Sequence, residues 1–284
     1  MTNKKIIIVT DSSASLPDEI RTGLDIRVIP LWLVWDNESY LDGIDIQPQA
    51  FYQRLKNSST LPSSTQPSVQ EFKDFFQECA KESDAIVSVL ASSRISGTVD
   101  SAEAAKKLIP DHPIYVVDSL FSAMGQGFIA VAAARAAQAE KPAEEVVAAA
   151  EKMREEVNLL FVVDTLEFLH KGGRIGGAKR LLGTALNIKP ILHFYQGLIE
   201  PLSQTRTKKK AIDEMLTIAA DRLGGRKMAE AAIVHVDCLK EGEALKELVQ
   251  NKFSPSKIFI SDVSPVVGTH VGPGGLGLAF YPEE

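Results

Sequence analysis

The sequence predicts an α/β protein made of two α/β domains of similar size, with a mainly parallel sheet in the first. Short runs rich in β-branched apolar residues alternate with longer segments of helical periodicity, an order typical of a sheet covered by helices. A long amphipathic segment at residues 141–157 separates two such sets of strands. We therefore expect one domain at residues 1–157 and a second at residues 158–284.

The first half contains four apolar runs that predict strands. The pattern Ser68-Val-Gln-Glu71 is typical of a capping box, which predicts that a helix begins there. The predicted strand regions cover residues 5–11, 26–35, 84–93 and 113–119, and the predicted helices cover residues 68–82, 96–109 and 123–139.

The second half has a similar mixture of strands and helices. A long apolar region at residues 188–203 contains Gln196-Gly197 at its centre, which predicts a β-hairpin with its turn there. The other predicted strands cover residues 158–165, 231–237, 257–263 and 275–282, and the predicted helices cover residues 208–223 and 241–253.

Composition is that of an ordinary soluble globular protein, with 45% hydrophobic and 24% charged residues. The net charge of -6 argues against a nucleic-acid partner. Cys79 and Cys238 lack metal-ligand spacing and predict free thiols in a reducing compartment. The N-terminal apolar run is too short for a signal peptide, and no run approaches the ~20 residues of a membrane span. We therefore expect a cytoplasmic protein without a transmembrane segment or a metal site.

The glycine-rich stretch VGTHVGPGGLGL at residues 267–278 contains His270. A dinucleotide-binding loop would follow the first strand and open a helix, whereas this stretch runs into strand-like residues at the end of the chain. A phosphate-binding P-loop motif is absent from the sequence. We expect the glycines to permit a tight turn between two strands, which leaves the histidine unexplained.

Polar residues follow several predicted strands, where ligands of open α/β sheets bind. Single serines such as Ser12 and Ser119 are more simply interpreted as helix caps. The stretch SSRISGT at residues 92–98 has more hydroxyls than a cap needs, and it opens a helix whose free N–H groups attract anions. A serine hydrolase would need a GxSxG elbow, which the sequence lacks.

Several motifs, taken in order, resemble those of the DegV family of fatty-acid-binding proteins, which serve bacterial fatty acid kinase. They are VTDSSASL, STQPS, SSRISGTVDSA, VVDS, TLEFLHKGGRI, NIKPIL and GTHVGPGGLG, and they span essentially the whole chain. The resemblance implies a fatty acid in a tunnel at or near the interface of two α/β domains. It also implies a carrier that is not itself an enzyme. It further implies a partner kinase that phosphorylates the carboxyl group to an acyl phosphate used in phospholipid synthesis.

The resemblance also implies which residues hold the carboxyl group and which bind the kinase. Arg206, after the hairpin, corresponds to a basic residue linked to kinase docking. The family's TSQPS appears here as STQPS, so either Ser64 or Thr65 could be the ligand, and Ser15 replaces the aspartate of the family's DSSADL. The expected carboxyl-binding residues are Ser64, Thr65, Ser96, Gly97, Arg174 and His270.

The resemblance implies no cofactor beyond the bound long-chain fatty acid, and it leaves room for transient membrane contact. Two other functions stay open at this level. The family is distantly similar to dihydroxyacetone kinases, so a small-molecule phosphotransfer enzyme is one alternative; it needs a fixed nucleophilic histidine, and His270 is expected in a loop. A regulatory module that docks through the lysines at residues 208–210 is the other.

Overall fold

The computed structural model describes residues 5–183 and 188–283. The strands in these ranges are β1 Ile6–Asp11, β2 Ile26–Ile29, β3 Trp32–Trp35, β4 Glu38–Leu41, β5 Ser63–Thr65, β6 Ala85–Leu90, β7 Ile114–Asp118, β8 Asn158–Val162, β9 Lys189–Tyr195, β10 Leu198–Thr205, β11 Met228–His235, β12 Lys257–Asp262 and β13 Leu276–Pro282. The α-helices are α1 Asp18–Gly23, α2 Pro48–Asn57, α3 Val69–Ala80, α4 Thr98–Lys106, α5 Ala123–Gln138, α6 Ala143–Glu156, α7 Glu167–Lys171, α8 Lys208–Leu223, α9 Leu239–Phe253 and α10 Pro265–Val271.

The first sheet is fully parallel, with the order β2-β1-β6-β7. Its central strands are buried on both faces, as expected of a parallel sheet covered by helices. On one face Ile7 and Ile86 pack with Phe72 of α3, and on the other face Ile8 and residues of α5 join the main core. The parallel sheet and the capping box that opens α3 are both confirmed.

A small antiparallel sheet, with the order β4-β3-β5, was not predicted. The single strand region expected at residues 26–35 is wrong, because Pro30 and Leu31 separate β2 from β3 and the two strands enter different sheets. Proline cannot donate a ladder hydrogen bond, so a strand commonly ends there. Strand β5 lies between α2 and α3, where no strand was predicted.

The third sheet has the order β10-β9-β8-β13-β11-β12, and only the pair β11–β12 is parallel within it. The predicted hairpin turn at Gln196-Gly197 is confirmed. Successive residues of β8 point to opposite faces: Leu160 packs under α8 and α9, whereas Leu159 and Phe161 face the main core. Strands β1–β7 lie in the first two sheets and β8–β13 in the third; a domain division at residue 157 stays a prediction.

The glycine-rich stretch is not a simple turn between strands, because its first part forms helix α10. Ser264 caps this helix by accepting a hydrogen bond from the Val267 N–H, and Pro265 occupies its first turn. A Cβ atom at Gly268 would overlap the Tyr52 hydroxyl, so the glycine lets α10 pack against α2. His270 therefore lies on a helix and not in a loop, which corrects the sequence-based expectation.

In the described ranges, the helices fall short of the length and apolar character needed to cross a membrane. Within the same residues, His, Cys, Asp and Glu side chains do not gather into groups of three that could hold a metal ion.

The tip of the β9–β10 hairpin packs against the loop after β6. Gly197 has a φ of +80°, and the Ser92 hydroxyl donates to its carbonyl oxygen at 2.8 Å. A Cβ atom at Gly197 would lie 2.5 Å from Ser92 Oγ and 2.8 Å from Arg94 Cγ. The hairpin can therefore reach this loop only with glycine at its tip.

Gly197→Ala should lower the free energy of unfolding by about 1–2 kcal/mol through backbone strain, with a further loss of roughly 1–3 kcal/mol from crowding. Gly225→Ala is the matched control, because Gly225 has a similar φ of +85° and open space where its Cβ atom would lie. Urea denaturation measures the free energy of unfolding of both variants. An equal loss of this free energy in the two variants would show that the hairpin tip does not depend on close packing.

Candidate functional site

A cavity lies between the carboxyl end of the parallel sheet and the inner face of the third sheet. Its empty space, including the open mouth, is about 820 Å³. Most of its lining side chains are apolar, among them Leu159, Phe161 and Val234. The polar side chains of the lining are those of Ser13, Ser64, Ser96, Ser122, Arg174 and His270.

Ser64 and His270 form a direct hydrogen bond inside this cavity, with Oγ and Nε2 2.7 Å apart. Strand β5 supplies the serine and helix α10 supplies the histidine. In the β3–β5 ladder Ser64 is the register partner of Leu33, which is fully buried. The strand therefore turns Ser64 inward, towards α10.

The environment of His270 favours its neutral form. Burial, and then the positive charge of Arg174, lower the pKa of His270 to about 4. Its Nδ1 atom is buried without a hydrogen-bond partner among the described residues. A Cβ atom at Gly172 would overlap this Nδ1, so the glycine backbone closes off that side of the ring. At neutral pH the imidazole carries one proton; when that proton is on Nε2, it is donated to Ser64 and the serine hydroxyl hydrogen faces the cavity.

Arg174 is held beside this pair by two backbone carbonyl groups. Its Nε donates to the Ile95 oxygen at 3.1 Å, and its Nη1 donates to the Gly172 oxygen at 2.7 Å. A guanidinium has five N–H donors, so these two bonds leave others for a ligand. Burial lowers the pKa of Arg174 from its usual value, yet a guanidinium stays protonated in proteins. The cavity thus has a fixed positive charge next to a neutral histidine.

Ser96 lies one residue from the carbonyl that anchors Arg174. Its Oγ is 2.7 Å from Thr98 Oγ1. Gly97 itself does not line the cavity. A Cβ atom there would lie 2.8 Å from Gln66 Nε2, so Gly97 allows the segment that carries Ser64 to approach the start of α4.

The structure therefore brings together Ser64, Ser96, Arg174 and His270. Thr65 is not with them: it pairs in register with Trp32, on the opposite face of β5 from Ser64. Arg206 is exposed between β10 and α8, away from the cavity lining.

Sequence reasoning missed two further polar groups of the cavity wall. Ser13 belongs to the polar run after β1, and its Oγ lies 2.5 Å from Asp11 Oδ1 and 3.0 Å from Gln126 Oε1. Burial raises the pKa of Asp11. Ser122 precedes α5, and nothing in the sequence distinguished it from other serines.

The two serines expected to be helix caps have different roles: Ser12 donates to Asp42, and Ser119 forms a local turn with Phe121.

Comparison with known proteins places this cavity in a known fold. Residues 5–283 match the model of a family described as uncharacterised protein, DegV family. A DegV family protein from Thermus thermophilus, described by its fatty acid binding, is 33% identical and superposes with a TM-score of 0.93 over 98% of this chain and 100% of its own. DegV from Bacillus subtilis, described as a fatty acid binding protein, is 35% identical, with a TM-score of 0.90 over 99% of this chain and 100% of its own.

A stearic acid-binding protein from Eubacterium ventriosum is 25% identical to the chain. It superposes with a TM-score of 0.88 over 97% of both chains. Sequence and fold therefore agree over nearly the full length, and the chain belongs to the DegV family.

Proposed function

We propose that this protein binds one long-chain fatty acid in the cavity and presents its carboxyl group to a partner fatty acid kinase. The observation that carries the proposal is the cluster of Ser64, Ser96, Arg174 and His270 in a cavity whose other walls are mostly apolar. Such a cavity suits an amphipathic acid. The relatives described as fatty-acid-binding support the choice of ligand.

The head-group cluster meets the requirements of a buried carboxylate. An unpaired carboxylate in an apolar site would cost several kcal/mol, and each charge-assisted hydrogen bond returns about 1.5–3 kcal/mol. The hydroxyl groups of Ser64 and Ser96 supply hydrogen-bond donors in the cavity, and Arg174 supplies the compensating charge. His270 stays neutral and orients Ser64, so Arg174 is the one positive charge that the site offers to the carboxylate.

The apolar wall accounts for the rest of the affinity. At ~0.8 kcal/mol per buried CH₂, a sixteen-carbon chain would contribute on the order of 10 kcal/mol before the cost of ordering the chain. Ala91 and Ala123 add small apolar side chains to this wall. The tail therefore supplies most of the binding energy, and the polar cluster supplies its orientation.

A small-molecule phosphotransfer enzyme fits this site less well. Helix α10 does fix His270, which removes one objection to a nucleophilic histidine. Its Nε2, however, is engaged by Ser64, and the apolar wall offers few partners for the hydroxyl groups of a small ketone. A fatty acid, in contrast, would use both the polar cluster and the apolar wall of the cavity, and a partner kinase would supply the catalysis.

Docking to the kinase is proposed to use Arg206. Its side chain is exposed, on the segment that joins the hairpin to α8. The neighbouring lysines are not equivalent to one another. Lys208 donates to the Gly274 oxygen at 2.7 Å and forms an ion pair with Glu241, so it serves the fold, whereas Lys209 is exposed like Arg206.

Ser64→Ala should weaken the binding of stearate about tenfold, as expected for the loss of one hydrogen bond to a charged group. Thr65→Ala is the matched control, because it removes the neighbouring hydroxyl from the opposite face of the same strand. Displacement of a fluorescent fatty acid measures both dissociation constants. A larger loss with Thr65→Ala than with Ser64→Ala would contradict the proposed carboxyl site.

Arg206→Ala should leave the stearate dissociation constant within about twofold of the wild-type value, because the side chain is remote from the cavity. It should slow acyl-phosphate formation by a bacterial fatty acid kinase and ATP about tenfold or more through loss of a docking charge. Hydroxylamine trapping of the acyl phosphate measures the rate, and Lys209→Ala controls for a general loss of positive charge. Unchanged phosphorylation with Arg206→Ala would exclude this docking residue.

A further inference from the structure

Asp42 is a buried acid that does not line the cavity. It follows β4 and is 2% exposed. Its Oδ2 accepts a hydrogen bond from the Ser12 hydroxyl at 2.6 Å, and its Oδ1 accepts one from the backbone N–H of Val266 at 3.3 Å. The carboxylate thus joins the end of the first strand to helix α10.

We propose that Asp42 is a positioning residue for His270, acting through helix α10. The proposal rests on the proposed function, because it assigns Asp42 a role in holding the fatty acid head group without touching it.

Asp42 is itself fixed by a ring of hydrogen bonds. The Ser12 Oγ that donates to Asp42 also accepts from the Leu31 N–H at 3.0 Å, and the Asp42 N–H donates to the Leu31 oxygen at 2.9 Å. The segments at Ser12 and Leu31 therefore fix the position of the Asp42 side chain. Because the carboxylate is held in this way, its bond to Val266 can fix the position of α10.

The bond to Val266 acts on the part of α10 that faces the cavity. Val266 and His270 are four residues apart, so they lie on the same face of the helix, about 6 Å apart along its axis. Both residues line the cavity. A shift of the Val266 backbone is therefore passed to the imidazole that contacts Ser64.

The charge of Asp42 also suits its location. A carboxylate beside the first N–H groups of a helix is stabilised by the helix dipole, and it satisfies a donor that the helix cannot satisfy internally. Two contacts hold the segment just before the helix: the Tyr52 hydroxyl donates to the Val263 oxygen at 2.8 Å, and the Ser264 N–H donates to Ser15 Oγ at 3.1 Å. These contacts keep the segment in place, and Asp42 adds a bond to the helix itself.

A double-mutant cycle separates positioning from general stabilisation. Stearate binding is measured for the wild type, Asp42→Ala, His270→Ala and the double variant, at pH 8, where Asp42 is ionised because burial raises its pKa only to about 6. Asp42→Ala should weaken binding about tenfold in the wild type and by less than about twofold in the His270→Ala background. Asp42→Asn keeps an acceptor for Val266 and should recover part of the affinity.

Asp45→Ala is the matched control, because the Asp45 carboxylate accepts a hydrogen bond from the nearby Leu41 N–H at the end of β4 and, among the described residues, forms no hydrogen bond with α10. It should leave binding unchanged. If Asp42→Ala does not fold in a thermal scan, Asp42→Asn takes its place in the cycle, with a smaller loss that again requires His270.

Two outcomes overturn the inference, and two others overturn the proposed function on which it rests. Equal losses from the Asp42 change in both backgrounds, or wild-type affinity in the Asp42 variants, would show that Asp42 does not act through His270. Failure of the wild-type protein to bind stearate, or full affinity in His270→Ala, would instead remove the proposed head-group site itself.

Discussion

The hydrogen bond between Ser64 and His270 is the contact on which the polar end of the cavity depends. It joins residues 206 positions apart in the sequence, one on a short strand of the small sheet and the other on α10. Each must be placed by its own surroundings: the ladder with β3 turns Ser64 inward, and glycine at position 268 lets α10 lie against Tyr52.

The charge balance of the cavity follows from the same arrangement. Among the described residues that line it, Arg174 carries the one permanent charge, and its positive charge helps to keep His270 neutral. An entering carboxylate compensates the guanidinium, whereas an uncharged lipid would cover that charge without pairing it. Under the proposed function, the cavity therefore favours acids over neutral lipids, while its apolar walls favour long chains over short ones.

Local patterns predicted most of the regular structure, because the capping box before α3 and the hairpin turn at Gln196-Gly197 are encoded within a few residues. The cavity depends on contacts between distant segments, which no local pattern contains. The choice between Ser64 and Thr65 required the pairing partner of β5. Helix α10 was missed because Gly268 lowers helix propensity, although Ser264 followed by proline is a typical helix start.

Native mass spectrometry of the protein purified from a bacterial host, followed by denaturing extraction, tests the central claim most directly. We expect a stoichiometric complex with one long-chain fatty acid per chain, which is released intact on denaturation. The same measurement on Ser64→Ala should show a smaller bound fraction. A protein that carries no fatty acid as purified, and takes up none after incubation with stearate, would contradict the account.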